Sequence, residues 1–290
     1  APSAPFPSTV ARSLSAFAKS QPEEVSWEPP KFEPDTRHDP GPPADWVELI
    51  FQTPAQAVIQ TESGIDTNND FHQIPLWYRG RIDNNVSVLV LAQDFGTDQV
   101  IAGRTLVGDA GQKLNHLLEN LGVGLNYLMV SPYPYPLNNT IPEHEVLDLS
   151  MSLTLATFRK QLLEKVLAEN DIKLVLTFGE VAENAFQAVA GNTDAYWLKL
   201  AHPGEASAPI SWNNGMSELS GNDVGFDITG PLTPYTMAGF PDIRAMIPRE
   251  DLPWGMPLWF GTSGDVSEQP DKSWIFWNAP QWVGKEPAEG

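Results

Sequence analysis

The chain has 290 residues, with 17 Lys and Arg against 37 Asp and Glu, a net charge of -20 and no cysteine. Lack of cysteine excludes disulfides, thiolate metal sites and iron–sulfur clusters, and the charge excludes the broad basic footprint of a typical nucleic-acid binder. The length allows a large buried core. No apolar run reaches the length of a membrane span, and the first residues lack the apolar core of a signal peptide. The expectation is a cytoplasmic protein with no membrane partner.

Residues 1–45 are rich in Pro, Ser and Glu and predict an extended arm. "WVELIFQTPAQAVIQ" (46–60) predicts a short helical or mixed element. "DTNND" (66–70) alternates Asp66, Asn68 and Asp70 like the start of a calcium loop. The glycine such a loop needs is Phe71 and its closing glutamate is Trp77, so a solvated turn is expected and no metal site.

From residue 86 the pattern is regular. "VSVLVLA" (86–92) is a continuous β-branched apolar run, as a strand covered on both faces requires. Residues 108–121 place Ala110, Leu114, Leu117, Leu118 and Leu121 on one helical stripe. Strands follow at 127–131, 172–178 and 196–202, separated by a long helix at 147–169 and another opening after Gly179. Strands alternating with helices predict a three-layer α/β/α fold around a central, mainly parallel sheet. The expected domain spans 46–204, and a Trp-, Pro- and Gly-rich extension at 205–290 packs on it. Its tryptophans are Trp212, Trp254, Trp259, Trp274, Trp277 and Trp282.

Ligands of a parallel sheet bind beyond the carboxyl ends of its strands. Gln93-Asp94-Phe95-Gly96 follows the first regular strand and His202-Pro203-Gly204 the last. If the two strands are parallel, both clusters share one rim. A carboxylate there can activate water and a histidine can meet developing negative charge. Each residue also has a plainer reading. Asp94 can accept backbone N–H bonds, His202 can be structural, and Gly103, Gly108 and Gly111 can serve close packing. Tyr133 and Tyr135 can plug the rim or line a pocket.

The first block resembles the first motif of the uracil-DNA glycosylase superfamily. In the iron–sulfur branch that motif reads G-E-A-P-G, an acidic residue, a Gly, P-F-V-G, A-G and a leucine-rich helix. Gly96, Asp98, Gly103, Val107-Gly108, Ala110-Gly111, Leu114, Leu117 and Leu118 stand in its register, and Gln93-Asp94 resembles the Q-D of the uracil-specific branch. "LVLTFGEVAENAF" is similar to the third strand and following helix, and His202-Pro203 to the start of H-P-S. The resemblance covers about residues 86–204. It implies a uracil-DNA glycosylase-like fold and hydrolysis of the N-glycosidic bond of a uracil-like or modified base flipped from DNA.

Asp94 would then stabilise the sugar cation and position water, and His202 would stabilise the departing base. Gln93, Phe95 and Gly96 would line the base pocket. Leu106 stands where the family stacks an aromatic, and Val130-Ser131 where it reads the base with Asn, leaving Ser131 and Tyr133 as polar contacts. Arg79, Arg81 and Arg104 are the candidates for phosphate contacts. The missing cysteines separate the chain from the iron–sulfur branch, and no cofactor is expected. Two other functions fit the same residues: a non-catalytic relative that binds a protein partner, and a hydrolase of free nucleosides.

Overall fold

A computed structural model of the protein describes residues 36–67, 74–95, 98–137, 140–222, 224 and 245–254, and the backbone of two further strands at 257–260 and 274–277. All belong to the unit Pro34–Gly290. The arm as far as residue 35, the acidic turn beyond Thr67, Gly96, Asn139 and the side chains of Trp259, Trp274, Trp277 and Trp282 lie outside the described residues.

The elements in chain order are α1 (Ala44–Ile50), α2 (Gln56–Ser63), β1 (Tyr78–Gly80), β2 (Val88–Ala92), α3 (Asp98–Ala102) and α4 (Asp109–Asn120). They continue with β3 (Tyr127–Val130), α5 (Glu143–Ser150), α6 (Leu153–Glu169), β4 (Leu174–Phe178), α7 (Glu180–Gln187), β5 (Tyr196–Leu200) and α8 (Ala208–Ser220). The five-stranded sheet has the order β1-β3-β2-β4-β5. Strands β3, β2, β4 and β5 are parallel, and β1 pairs antiparallel with β3 at the edge. The strands β6 (Pro257–Phe260) and β7 (Trp274–Trp277) form a separate antiparallel pair.

The sheet is buried on both faces, which explains why its strands read as unbroken apolar runs. Leu89, Leu91, Leu128, Val130 and Val175 point to one side, where Trp46, Ile59, Val146, Leu155, Phe158, Leu162, Val181 and Phe186 meet them. Val88, Val90, Ala92, Met129, Leu174 and Leu176 point to the other side, covered by Leu114, Leu117 and Leu118 of α4 and by Trp212, Met216 and Leu219 of α8. The fold is therefore the three-layer α/β/α arrangement expected from the alternation of elements.

Three elements differ from the expected ones. The helix expected at 147–169 is two helices, with Ser152 extended (ψ 139°) between them. Buried Arg159 fixes this break by donating to the carbonyls of Ser150 (2.5 Å) and Pro132 (3.0 Å). Strand β1 escapes the apolar pattern because Arg79 stands in its middle. Helix α8 hides behind Asn213-Asn214-Gly215, a turn-like triplet. Its Gly215 lets the helix lie close on β5: an added Cβ would stand 2.5 Å from Leu200 Cδ2. The buried Trp212, Met216 and Leu219 keep the helical period, so α8 completes the second helical layer.

The glycines after Asp94 serve packing. A Cβ on Gly111 would lie 1.6 Å from the Leu106 carbonyl oxygen, and one on Gly108 2.8 Å from Asp98 Oδ2. Overpacking costs roughly 1–3 kcal/mol where side chains can yield, and backbone cannot yield. Gly111→Ala is therefore expected to destabilise the protein by about 3 kcal/mol or more, whereas Gly191→Ala, with nothing within 4 Å of its Cβ, should change little. Urea denaturation midpoints check this; a Gly111→Ala midpoint equal to wild type would contradict the packing.

Candidate functional site

Because β2, β4 and β5 are parallel neighbours, their carboxyl ends form one rim. There a cleft of about 550 Å³ is lined by Gln93, Asp94 and Phe95 after β2, by Phe178, Gly179 and Val181 after β4, and by His202, Gly204 and Glu205 after β5. Asp109 and Ala110 of α4, with Ile141 and Glu143 before and at the start of α5, complete the wall. The two clusters at opposite ends of the sequence motif thus share one cleft.

Asp94 lies at the inner edge of this cleft and is 4 % exposed. Its Oδ1 accepts the Phe95 N–H at 2.9 Å, and the carboxylate also accepts the Leu106 N–H. Leu106 reaches that position by adopting φ 56°, a left-handed conformation that a leucine enters only under constraint. Burial pushes the Asp94 carboxyl up to about 7, with the Phe95 bond opposing and the nearby Asp98 carboxylate adding to the rise. A carboxyl that titrates near neutrality can both take and return a proton.

His202 is held from both ring nitrogens. Nε2–H donates to the Gln93 carbonyl at 2.8 Å, and Nδ1 accepts the Gly204 N–H at 3.1 Å. That pattern assigns the neutral Nε2–H tautomer, since a carbonyl needs a donor and an amide an acceptor. Burial lowers the imidazole's pKa further, against the Gln93 bond that raises it. The His202 N–H donates to Glu205 Oε1 at 2.8 Å, and the ring stands edge-on to Phe95 at 6.1 Å. His202 is therefore a neutral, oriented imidazole whose one ring proton is already engaged.

Several expected base contacts turn out to be scaffold. The Gln93 side chain ties the end of β2 to the loop after β3: Oε1 accepts the Tyr133 N–H at 2.9 Å, and Nε2 donates to the carbonyls of Asp94 (3.2 Å) and Tyr133 (3.3 Å). The Ser131 hydroxyl donates to the Tyr133 carbonyl at 2.8 Å, so it is not directed at a ligand. Tyr133 is fully buried and Tyr135 nearly so, which makes both plugs of the rim. Leu106 is also fully buried, packed in the core with Leu114 and Leu117, and cannot stack on a base. Phe95, half-buried on the cleft wall, is the aromatic left for that task.

The arginines are likewise redirected. Arg79 is fully buried, 3.6 Å from the Asp251 carboxylate and 2.8 Å from Met129 Sδ. Asp251 also accepts the Tyr127 hydroxyl at 2.5 Å. Arg81 donates to the Glu250 carbonyl at 2.9 Å, and Arg104 clamps Asp39 Oδ2 with Nε (3.0 Å) and Nη2 (2.8 Å). These contacts fasten Asp39 and the segment 245–254 to the domain. In a chain with 20 more acidic than basic groups, cations are drawn first to its own carboxylates. None of the three arginines lines the cleft, and burial removes Arg79 from any phosphate.

Sequence reasoning missed the carboxylates of the rim. Glu143, Glu205 and Asp109 stand on the cleft wall with Asp94. Burial raises the Glu143 carboxyl, and Glu205 and Glu180 raise it further. Glu205 carried a signal, being three residues past His202 at a strand end; Phe178-Gly179 carried the same one at the end of β4. Asp109 occupies the first turn of α4, so the helix end that favours an anion already has one from the chain itself. Lys113 is engaged by Asp109 at 2.8 Å. Among the described residues no group of three or more His, Asp or Glu side chains could hold a metal ion. No described helix is long and apolar enough to cross a membrane.

Asp94 also couples the site to stability. Its carboxyl is raised from 3.8 to about 7, so between those values the folded protein holds a proton that the unfolded chain has released. This stabilisation is complete below pH 4 and is lost as pH rises through 7. At about 1.4 kcal/mol per unit the swing is on the order of 4 kcal/mol. Asp94→Asn removes it, so the variant should lose less stability than wild type between pH 5 and pH 8, measured by urea unfolding at both; parallel losses would contradict the burial of an ionisable Asp94. A scan against protein-family models finds no match for this chain, and no curated protein matches it.

Proposed function

We propose that the protein hydrolyses an N-glycosidic bond and releases a nucleobase. The observation that carries this reading is the meeting of Asp94, His202 and Phe95 on one cleft at the carboxyl ends of parallel strands. The resemblance of the Gln93–Leu118 block to the first motif of the uracil-DNA glycosylase superfamily supports it and suggests a base carried on DNA. In this reading the base enters against Phe95. Asp94, ionised, accepts a proton from the attacking water and offsets positive charge on the sugar. His202 and the Gln93 main chain hold the two sides of the cleft at fixed separation.

The acidic rim favours a second reading. Asp109, Glu143 and Glu205 repel a phosphate backbone, and the three candidate arginines are bound within the protein. A free nucleoside carries no phosphate and avoids that repulsion. A panel of modified duplexes, single strands and nucleosides, assayed at low salt for abasic sites or free base, decides between the carriers. Release of a base from any of them is expected, with a rate that rises with pH through about 7 as Asp94 ionises. Asp94→Asn should lower that rate by roughly a hundredfold or more. A panel that yields neither abasic sites nor free base overturns the proposal.

A further inference from the structure

The cleft has an unusual combination of walls. Phe95 presents aromatic surface and Ile141 aliphatic surface, while Phe178 and Val181 border the cleft as buried core side chains. Every charged side chain on the lining is acidic: Asp94, Glu143, Glu205 and Asp109, the last already paired with Lys113 at 2.8 Å. Among the described residues no lining side chain offers a positive charge to an anion. The His202 ring proton is committed to the Gln93 carbonyl at 2.8 Å, and the first turn of α4 holds Asp109. A leaving base that develops negative charge would therefore face carboxylates. A flat ring that is positively charged in the ground state meets the opposite situation. Aromatic faces attract it by cation–π interaction, and the carboxylates attract it by charge.

We propose that the base taken by this cleft is a cationic one, a purine alkylated on its ring nitrogen, as in a 7-methylguanine nucleoside. This rests on the reading of the protein as an N-glycosidic hydrolase. The chemistry then balances without an acid. As the C1′–N9 bond breaks, its electron pair moves to N9 and quenches the positive charge of the ring, so the base leaves neutral. Oxygen of a water bonds to C1′, and the proton that this water sheds passes to the Asp94 carboxylate and then to solvent. No donor to the departing base is needed, which fits a histidine whose N–H is spent on the scaffold.

Binding and hydrolysis are tested separately. The binding probes are 7,9-dimethylguaninium, a stable cation without a glycosidic bond, and 9-methylguanine, its neutral counterpart. Calorimetry with the full chain at pH 6, where the probe keeps its N1–H and is a net cation, should give at least tenfold tighter binding of the cation. Glu143→Gln and Glu205→Gln, each offered as preserving the fold, should each shrink that preference severalfold, and added salt should shrink it too. The hydrolysis arm measures base release from 7-methylguanosine and 7-methyl-2′-deoxyguanosine beside guanosine and uridine, corrected for spontaneous loss.

Preferred binding of the cation with release of its base supports both the inference and the hydrolase reading. Preferred binding without release, here or from the duplexes and single strands of the wider panel, supports a cation-selective cleft and overturns the hydrolase reading. Equal binding of the two probes, with release of a neutral base, overturns the inference and leaves the hydrolase reading standing. Failure to bind either probe overturns the inference outright.

Discussion

The hydrogen bond from His202 Nε2–H to the Gln93 carbonyl joins the ends of two strands that are not neighbours. Strand β4 lies between β2 and β5, so the bond arches over the β4 end and closes the floor of the cleft. The geometry on either side depends on it. It fixes the tautomer of His202, aims Nδ1 at the Gly204 amide and sets the ring against Phe95. It also fixes the main chain of Gln93, whose side chain in turn secures the loop after β3. Asp94 follows directly in the chain, and its position is inherited from the same anchor. Parallel pairing makes the arrangement possible, because only parallel strands deliver three carboxyl ends to one rim.

A second constraint acts through charge. The chain has few cations, and those described around β1 are spent internally. The Arg79–Asp251 pair is fully buried and shares its carboxylate with the Tyr127 hydroxyl. Such a pair gives little net stability over an apolar replacement, but losing one partner leaves a buried charge at a cost of about 3–5 kcal/mol. Its consequence is to hold the segment 245–254 against the edge of the sheet. The cost is functional: Arg79, Arg81 and Arg104, held in this way, are not available to a phosphate backbone. The cleft carboxylates point the same way: Glu143 and Glu205 stand exposed on the rim, and Asp109 already holds Lys113 at 2.8 Å.

Much of the architecture was legible in the sequence because the parallel strands are buried on both faces and show as apolar runs at 86–92, 127–131, 172–178 and 196–202. What escaped has definite causes. Strand β1 is three residues long and centred on an arginine whose charge is answered 172 positions later by Asp251. No local pattern can carry that. Helix α8 contains Gly215, which reads as a breaker and in fact allows contact with β5. The kink at Ser150–Ser152 depends on Arg159 reaching back along the chain. At the site, the rule that ligands gather at strand ends located Asp94, Phe95 and His202. It does not say which way a side chain turns. Leu106 turned into the core because its backbone bends to bond Asp94, and Gln93, Ser131 and Tyr133 turned to one another. The rim carboxylates come from helix starts and loops, where burial and mutual repulsion arise only on folding.

Burial at the end of β2 sets the Asp94 carboxyl to exchange protons near neutrality. A carbon-13 NMR titration of the Asp94 side-chain carboxyl, assigned by comparison with Asp94→Asn, measures that directly. A midpoint at about pH 7 is expected. A midpoint near 4, the ordinary value for an exposed aspartate, would contradict it.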